Sequence, residues 1–122
     1  MSAESSCKCV LIVEDDQTIR ETLQLTLEIE GYTVYGASNG QDALEKLPLI
    51  PRPRLILLDL MMPVMNGWQF MDELRKTTDF SAIPVVVVTA FNEKTRSIQA
   101  QAVMKKPVEL NALLNVVNRY CS

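Results

Sequence analysis

Three short, uninterrupted apolar runs limit the folds open to this chain more than any other feature of its sequence. They are CVLIV at residues 9–13, LILL at residues 55–58 and VVVV at residues 85–88, and each stops at a polar residue. A strand with one solvated face alternates apolar and polar residues, whereas a strand buried on both faces is apolar throughout. The runs therefore predict strands of a parallel sheet that is covered on both faces.

Segments with helical periodicity lie between these runs and after them. Residues 93–101 predict a short helix with Ile98 as its one large apolar residue, and residues 33–36 and 102–105 predict two more strands. Strand and helix alternate five times, which predicts an α/β fold: a doubly wound, five-stranded parallel sheet with helices on both faces. The other four helices are predicted by four apolar sets: Ile19, Leu23 and Leu27; Ala43, Leu44 and Leu47; Gly67, Phe70, Met71 and Leu74; Leu110, Leu113, Leu114, Val117 and Cys121.

The length and composition are those of one globular domain. The 122 residues are 48% hydrophobic and 22% charged, and such a length buries roughly two-thirds of the unfolded chain's surface. We expect residues 1–6 to be disordered and residues 7–122 to form a single domain. Pro48, Pro51 and Pro53 predict a connector without helix. Because the sequence stops with the last helix, we expect no attached DNA-binding or enzymatic output domain.

Charge and residue usage exclude several classes of function. The net charge of −3 argues against nucleic-acid binding, and the absence of histidine removes imidazole as a base or metal ligand. Cys7 and Cys9 are too close for an ordinary disulfide, so we interpret them and Cys121 as reduced thiols. No apolar run is long enough to span a membrane. These features together predict a cytoplasmic protein.

Polar residues follow four of the predicted strands. Residues 14–16 are Glu-Asp-Asp, and Asp59, Thr89 and Lys106 stand after later strands. Each has an ordinary structural explanation, such as a loop cap for Asp59 or a helix start for the acidic run. The carboxyl ends of parallel strands meet at one edge of a sheet, however, and α/β folds place their chemistry there. The sequence therefore predicts a functional site of acids, a hydroxyl and an ammonium group.

The motifs at these strand ends resemble those of a known family. LIVEDD, LLDLMMPVMNGW, VVVVTA and KKPVEL occur in this order, one at each strand end. As a set they are highly specific, and over nearly its whole length the chain resembles the receiver domain of two-component response regulators. The resemblance implies a flavodoxin-like sheet with strand order 2-1-3-4-5.

The resemblance also implies a metal site. Asp15, Asp59 and the backbone carbonyl of Met61 would bind Mg²⁺ directly, and Glu14 would act through a water molecule. Oxygen ligands of this kind suit a hard divalent cation. Asp16 would be a helix-start neighbour outside the metal shell.

The implied reaction is phosphorylation of Asp59. Its carboxylate would attack a phosphoryl group in line, Lys106 would contact that group as a point charge, and the Thr89 hydroxyl would hydrogen-bond one of its oxygens, with small Ala90 leaving space. The donor would be a sensor histidine kinase or a histidine phosphotransfer protein. The product, an aspartyl phosphate, would act through contacts with a downstream protein, and the domain would not be an enzyme for free substrates.

Two departures from the family pattern affect the output. Receivers usually carry tyrosine or phenylalanine three residues before the active-site lysine, where this chain has Val103. The segment between Thr89 and Lys106 is also shorter than is typical, by about one helical turn. Because valine is stiff and has no polar tip, we expect phosphorylation to order or shift residues 91–101 and not to rotate one side chain.

Three other functions are compatible with parts of this sequence. A phosphohydrolase with an aspartate nucleophile commonly has a second acid two residues later, where this chain has Met61. A flavin carrier needs a phosphate-binding loop after the first strand, and the acids at residues 14–16 would repel that phosphate. A receiver that only binds partners would not need the complete set of reactive groups that is present here.

Overall fold

Five parallel strands form the centre of the molecule. In the computed structural model, which describes residues 8–90, 98 and 100–121, the strands are β1 (Cys9–Val13), β2 (Thr33–Ala37), β3 (Leu55–Leu58), β4 (Val85–Thr89) and β5 (Ala102–Lys105). Their order across the sheet is β2-β1-β3-β4-β5. The parallel sheet and the strand order that the resemblance implied are both confirmed. The second strand extends one residue beyond the predicted 33–36.

Helices cover both faces of this sheet. Within the described residues they are α1 (Gln17–Ile29), α2 (Gly40–Lys46), α3 (Gly67–Lys76) and α4 (Leu110–Cys121). One apolar cluster joins one sheet face to α2 and α3 through residues such as Ala43 and Phe70. The other cluster joins the opposite face to α1 and α4 through residues such as Leu27 and Leu113. The doubly wound architecture is thus confirmed.

Local sequence signals set the helix ends next to the strand ends. The carboxylate of Asp16 accepts the N–H of Ile19 at 3.0 Å and caps α1. Asn66 and Gln69 form a reciprocal capping box that starts α3 immediately after the loop that follows β3. A side-chain oxygen at this position satisfies one of the N–H groups that an α-helix leaves unpaired. The loops that follow β1 and β3 therefore each end in a helix start that is capped by side chains of the same segment.

Two expectations need comment. The prediction of a connector without helix was wrong at Pro48, which lies in a 3-10 turn, Leu47–Leu49. Proline is tolerated in the first turn of a helix because the N–H that it lacks would be unpaired there anyway.

Two predictions fall largely outside the described residues: the disorder of residues 1–6 and most of the short helix at 93–101. Ile98 is described, and its side chain packs against the apolar cluster between the sheet and helices α2 and α3.

The remaining structural expectations concern cysteines, Val103 and membranes. Cys9 is a buried free thiol, and Cys121 is buried as well. Val103 lies on the edge strand β5 opposite Val87 and is 38% exposed. In the part of the chain that the structure describes, no helix is both long enough and apolar enough to cross a bilayer.

Candidate functional site

Polar side chains from four strands meet at the carboxyl edge of the sheet. Glu14 follows β1, Asp59 follows β3, Thr89 is the last residue of β4 and Lys106 follows β5. The backbone ladder continues past the strand ends, because the N–H of Asp59 donates to the carbonyl of Val13 at 3.0 Å and that of Lys106 to the carbonyl of Thr89 at 2.9 Å. The structure therefore brings together the residues that the strand-end pattern selected.

Three carboxylates lie together at this edge. Oxygens of Glu14, Asp15 and Asp59 all lie within 4.8 Å of one another, close enough to bind one metal ion. Glu14 and Asp59 are buried, with 2% and 5% of their surfaces exposed, whereas Asp15 is exposed. Crowded carboxylates repel one another unless a cation lies among them.

The ammonium group of Lys106 balances part of this charge. Its Nζ lies 2.6 Å from Oε1 of Glu14 and 3.1 Å from Oδ2 of Asp59, so it donates to both buried carboxylates. When all three carboxylates are ionised, this one ammonium leaves two negative charges in excess. A divalent cation would balance that excess, and the donors are all oxygen atoms, as Mg²⁺ requires. The residues present thus fit a magnesium ion.

Burial shifts the proton affinities of these groups. Desolvation is the largest influence on Glu14 and, with the charge of Asp59, raises the pKa of this carboxyl to about 7, although hydrogen bonds from Lys106 and the N–H of Asp16 oppose the shift. Burial alone would lower the pKa of Lys106, but its hydrogen bonds to the two carboxylates outweigh that effect and raise it. A cation that binds here near neutral pH therefore displaces a proton from Glu14.

The hydroxyl of Thr89 is buried without a partner among the described residues. Thr89 has no exposed surface, and its Oγ1 makes no hydrogen bond there. An unpaired buried hydroxyl costs about 1–3 kcal/mol. It sits at the end of β4, the strand between those that supply Asp59 and Lys106, and the adjacent Ala90 is exposed. This hydroxyl is thus free to donate to an oxygen that enters the site.

The loop after β3 is held tightly around Asp59. The N–H of Met61 donates to Oδ1 of Asp59 at 3.2 Å, and the Met61 side chain is 56% exposed. A Cβ atom on Gly67 would lie 2.6 Å from Cα of Leu60 and 2.7 Å from the carbonyl oxygen of Asp59. Only glycine fits at that distance. The first residue of α3 therefore packs directly against the backbone of Asp59 and Leu60. Direct metal binding by the Met61 carbonyl stays a prediction.

Sequence reasoning missed one contact of the site. Nη1 of Arg20, on α1, donates to the backbone carbonyl of Glu14 at 2.7 Å. In sequence, Arg20 does not differ from an ordinary solvated charge on a helix. The sequence signal for this contact was Gly36 in β2, against which the Arg20 side chain packs. A glycine inside a strand often marks the close approach of another group. Asp16, by contrast, has the expected role: it caps α1 and lies outside the acidic cluster.

A parallel sheet of this order, with acids, a hydroxyl and an ammonium group at its carboxyl edge, defines a receiver domain. The family model of the response regulator receiver domain matches residues 10–118, which is nearly all of the chain. The protein therefore belongs to the response regulator receiver family. The domains of this family act as phosphoacceptor signalling modules in two-component systems.

Relatives of known name agree with this assignment. Protein PilH of Pseudomonas aeruginosa is 35% identical over 114 residues, which cover 89% of this chain and 93% of PilH. Response regulator MprA of Mycobacterium ulcerans is 37% identical over 110 residues, which cover 86% of this chain. The match spans 46% of MprA, so this chain corresponds to less than half of that relative.

Solved structures share the fold closely. The signal receiver domain of a signal transduction histidine kinase from Syntrophus aciditrophicus has a TM-score of 0.86 and 32% identity, covering 93% of this chain and 89% of that one. The response regulator TrrA of Thermotoga maritima, solved in complex with Mg²⁺-BeF, has a TM-score of 0.81 and 28% identity, covering 93% and 98%.

Proposed function

We propose that Asp59 is the residue of this receiver domain that accepts the phosphoryl group, in a reaction that depends on Mg²⁺. One observation carries the proposal. The buried Asp59 carboxylate lies 3.1 Å from the Lys106 ammonium, and the strand between them ends in Thr89, whose hydroxyl has no hydrogen-bond partner among the described residues. A nucleophile, a positive charge and a free donor are thus supplied by three neighbouring strands.

Asp59, Lys106 and Thr89 would each have a separate role in the transfer of the phosphoryl group. An oxygen of Asp59 attacks phosphorus, the P–O bond forms, and the P–N bond of a phosphohistidine donor breaks in line with it. Lys106, already in contact with Oδ2, then contacts the new phosphoryl group. The Thr89 hydroxyl donates to one phosphoryl oxygen. Donation to an ionised group makes this hydrogen bond stronger than one between neutral groups.

Magnesium would be held by the acidic cluster. Asp15, Asp59 and the backbone carbonyl of Met61 would bind it directly, and Glu14 would bind it through water. When bound, the ion offsets the negative charge of the phosphoryl oxygens. The close approach of the three carboxylates and the charge excess that Lys106 leaves support this assignment.

The phosphoryl donor would be a phosphohistidine protein, either a sensor histidine kinase or a histidine phosphotransfer protein. The chain has no histidine of its own to serve as a donor. A largely apolar groove of about 400 Å³ opens between the first half of α1 and the segment that follows β5. Lys106 lines one side of it, so a partner that fills the groove presents its side chains next to the phosphorylation site. The groove is lined by Ile19, Leu23, Val88, Pro107, Val108 and Leu110 among others.

The rest of the proposal concerns the chain as a whole. We propose residues 7–122 as one receiver domain that signals through a downstream protein, does not bind nucleic acid itself and does not turn over free phosphoesters. The last point is supported by Met61, which stands where phosphohydrolases of this chemistry carry a second acid. We also propose a cytoplasmic location, which the free thiol of Cys9 supports because reduced thiols persist in reducing compartments.

Intact-mass measurement tests the acceptor. The protein is incubated with Mg²⁺ and a small phosphodonor such as acetyl phosphate, and one phosphoryl adduct is expected. Asp59→Asn should abolish the adduct, whereas Asp72→Asn, which removes an exposed acid on α3, should leave it unchanged. An adduct of equal stoichiometry on Asp59→Asn would overturn the assignment.

A further inference from the structure

The guanidinium of Arg20 is bound to the backbone of the acidic cluster. Arg20 lies on α1, and its Nη1 donates to the carbonyl oxygen of Glu14 at 2.7 Å. That carbonyl and the N–H of Asp15 belong to the same planar peptide group. Arg20 therefore restrains the rotation of the peptide that joins two members of the cluster.

Other contacts fix Glu14 but not Asp15. The N–H of Glu14 donates to the carbonyl of Ala37 at 3.0 Å, its Oε1 pairs with Lys106, and its Oε2 accepts the N–H of Asp16 at 3.1 Å. No hydrogen bond to the Asp15 side chain occurs among the described residues, and Asp15 is exposed. The Arg20 contact is thus the restraint that acts on the Glu14–Asp15 peptide itself.

A glycine in β2 makes room for this arginine. Gly36 pairs with Ile12 of β1 and lies inside the strand. A Cβ atom there would lie 3.1 Å from Cδ and 3.5 Å from Cγ of Arg20, so the arginine stem packs against the strand at its one position without a side chain. Glycine weakens a strand interior, and its presence often marks such a close approach.

We propose that Arg20, packed against Gly36 of β2, is a positioning residue that orients the Asp15 and Glu14 carboxylates for a divalent cation. This inference rests on the proposed magnesium site. Arg20 does not contact the metal, and its positive charge by itself repels a cation. Its contribution is to hold the Glu14–Asp15 peptide in one orientation before the ion arrives. Groups that orient metal ligands from outside commonly change metal affinity by about 10–100-fold.

Calorimetric titration of Mg²⁺ into Arg20→Met tests this role. Methionine keeps most of the apolar stem and removes the guanidinium, which carries both the hydrogen-bond donor and the positive charge. The affinity should fall about tenfold. Loss of a positive charge near the site would by itself raise the affinity, so a fall reports lost positioning. The matched control is Gln24→Ala, one turn further along α1, whose side chain reaches the Val34 carbonyl of β2 but not the acidic cluster; its affinity should equal that of the wild type.

A second variant tests the path through Gly36. Gly36→Val places methyl groups where the Arg20 stem lies, and valine is a better strand former than glycine, so the strand itself is not weakened. Its Mg²⁺ affinity should fall as in Arg20→Met, and the double variant should show no further loss. Additive losses would show that the two residues act independently and would overturn the proposed link.

A metal-free measurement separates this inference from the proposed function. In the NMR spectrum of the metal-free protein, the backbone amide of Asp15 should shift in Arg20→Met and stay unchanged in Gln24→Ala. If the wild type binds no Mg²⁺, the proposed metal site fails, and the Asp15 amide still decides whether Arg20 positions this peptide. If the wild type binds Mg²⁺ and Arg20→Met binds it equally well, the inference is overturned.

Discussion

The Nζ atom of Lys106 lies 2.6 Å from Oε1 of Glu14, although 92 positions separate the two residues in the sequence. The same ammonium group donates to Asp59, and both carboxylates are buried. Charges removed from water are stabilised only while they remain paired. The contact between the segments that follow β1 and β5 therefore affects both the stability of the metal-free protein and its response to cations.

Replacing Lys106 should destabilise the metal-free protein in a pH-dependent way. In Lys106→Met the free energy of unfolding should fall by roughly 3 kcal/mol at pH 8, because a buried ionised carboxylate loses its partner. The loss should be smaller at pH 5.5, where Glu14, with its raised pKa, is neutral. Urea unfolding in the presence of EDTA measures both values. The exposed neighbour Lys105 supplies the control, since Lys105→Met should leave the free energy of unfolding unchanged at both pH values. Equal losses at the two pH values would contradict the assignment.

Magnesium affinity should rise with pH until Glu14 is ionised. The pKa of Glu14 in the folded protein is about 7, above its ordinary value of 4.5. The fold thus favours the neutral form, and this contribution to stability is fully present below about pH 4.5 and is lost as pH rises from there to the folded-state pKa of about 7. Binding Mg²⁺ below pH 7 must release that proton, so the affinity should increase from pH 6 to pH 7 and level off above it. Calorimetry in two buffers of different ionisation enthalpy measures the released proton; equal affinity at pH 6 and pH 8 would count against the prediction.

Removing the Thr89 hydroxyl should stabilise the resting protein and impair signalling. Thr89→Val keeps the side-chain shape but deletes a buried hydroxyl that has no hydrogen-bond partner in the described part of the chain, so the free energy of unfolding should rise by about 1 kcal/mol. Thr89→Ser keeps the hydroxyl and serves as the control. Urea denaturation at an unchanged slope measures the difference. A lower stability of Thr89→Val would mean that the hydroxyl has a partner.

The same variant tests how the signal leaves the site. Hydrogen exchange of residues 91–101 is compared with and without beryllofluoride, a stable phosphoryl mimic, in the presence of Mg²⁺. We expect the wild type and Thr89→Ser to change protection across this segment and Thr89→Val to lose most of the change, because the hydroxyl is the contact that distinguishes the phosphorylated state. If the segment exchanges identically in both states while another surface responds, the proposed route is wrong.

A large side chain in the groove beside Lys106 should slow phosphoryl transfer from a protein donor but not from a small phosphodonor. Thr22 lines the groove, whereas Thr26, one turn further along α1, is not among its lining residues. Thr22→Arg should slow phosphoryl transfer from a histidine phosphotransfer protein by about tenfold or more, and Thr26→Arg should leave the rate unchanged. Both variants should accept phosphate from acetyl phosphate at the wild-type rate. Slowing with both donors would indicate damage to the site itself.

Much of the fold followed from local patterns. Uninterrupted apolar runs marked β1, β3 and β4, and Phe70, Met71 and Leu74 proved to be the buried face of α3. Such patterns are readable because each element must bury one face or both. The 3-10 turn at Pro48 was missed because proline argues against an ordinary helix and says little about a single tight turn.

The strand-end pattern in the sequence predicts which polar groups gather at one edge, since parallel strands bring Glu14, Asp59, Thr89 and Lys106 to the same side of the sheet. How these groups contact one another depends on the packing of the folded chain. The double contact of Lys106, the raised pKa of Glu14 and the burial of the Thr89 hydroxyl, which has no partner among the residues that the structure describes, depend on distances of a few ångströms and on exclusion of water. Sequence order fixes neither quantity, because both arise when distant segments pack. The contact of Arg20 with the Glu14 carbonyl is of the same kind: it exists because α1 folds back over Gly36.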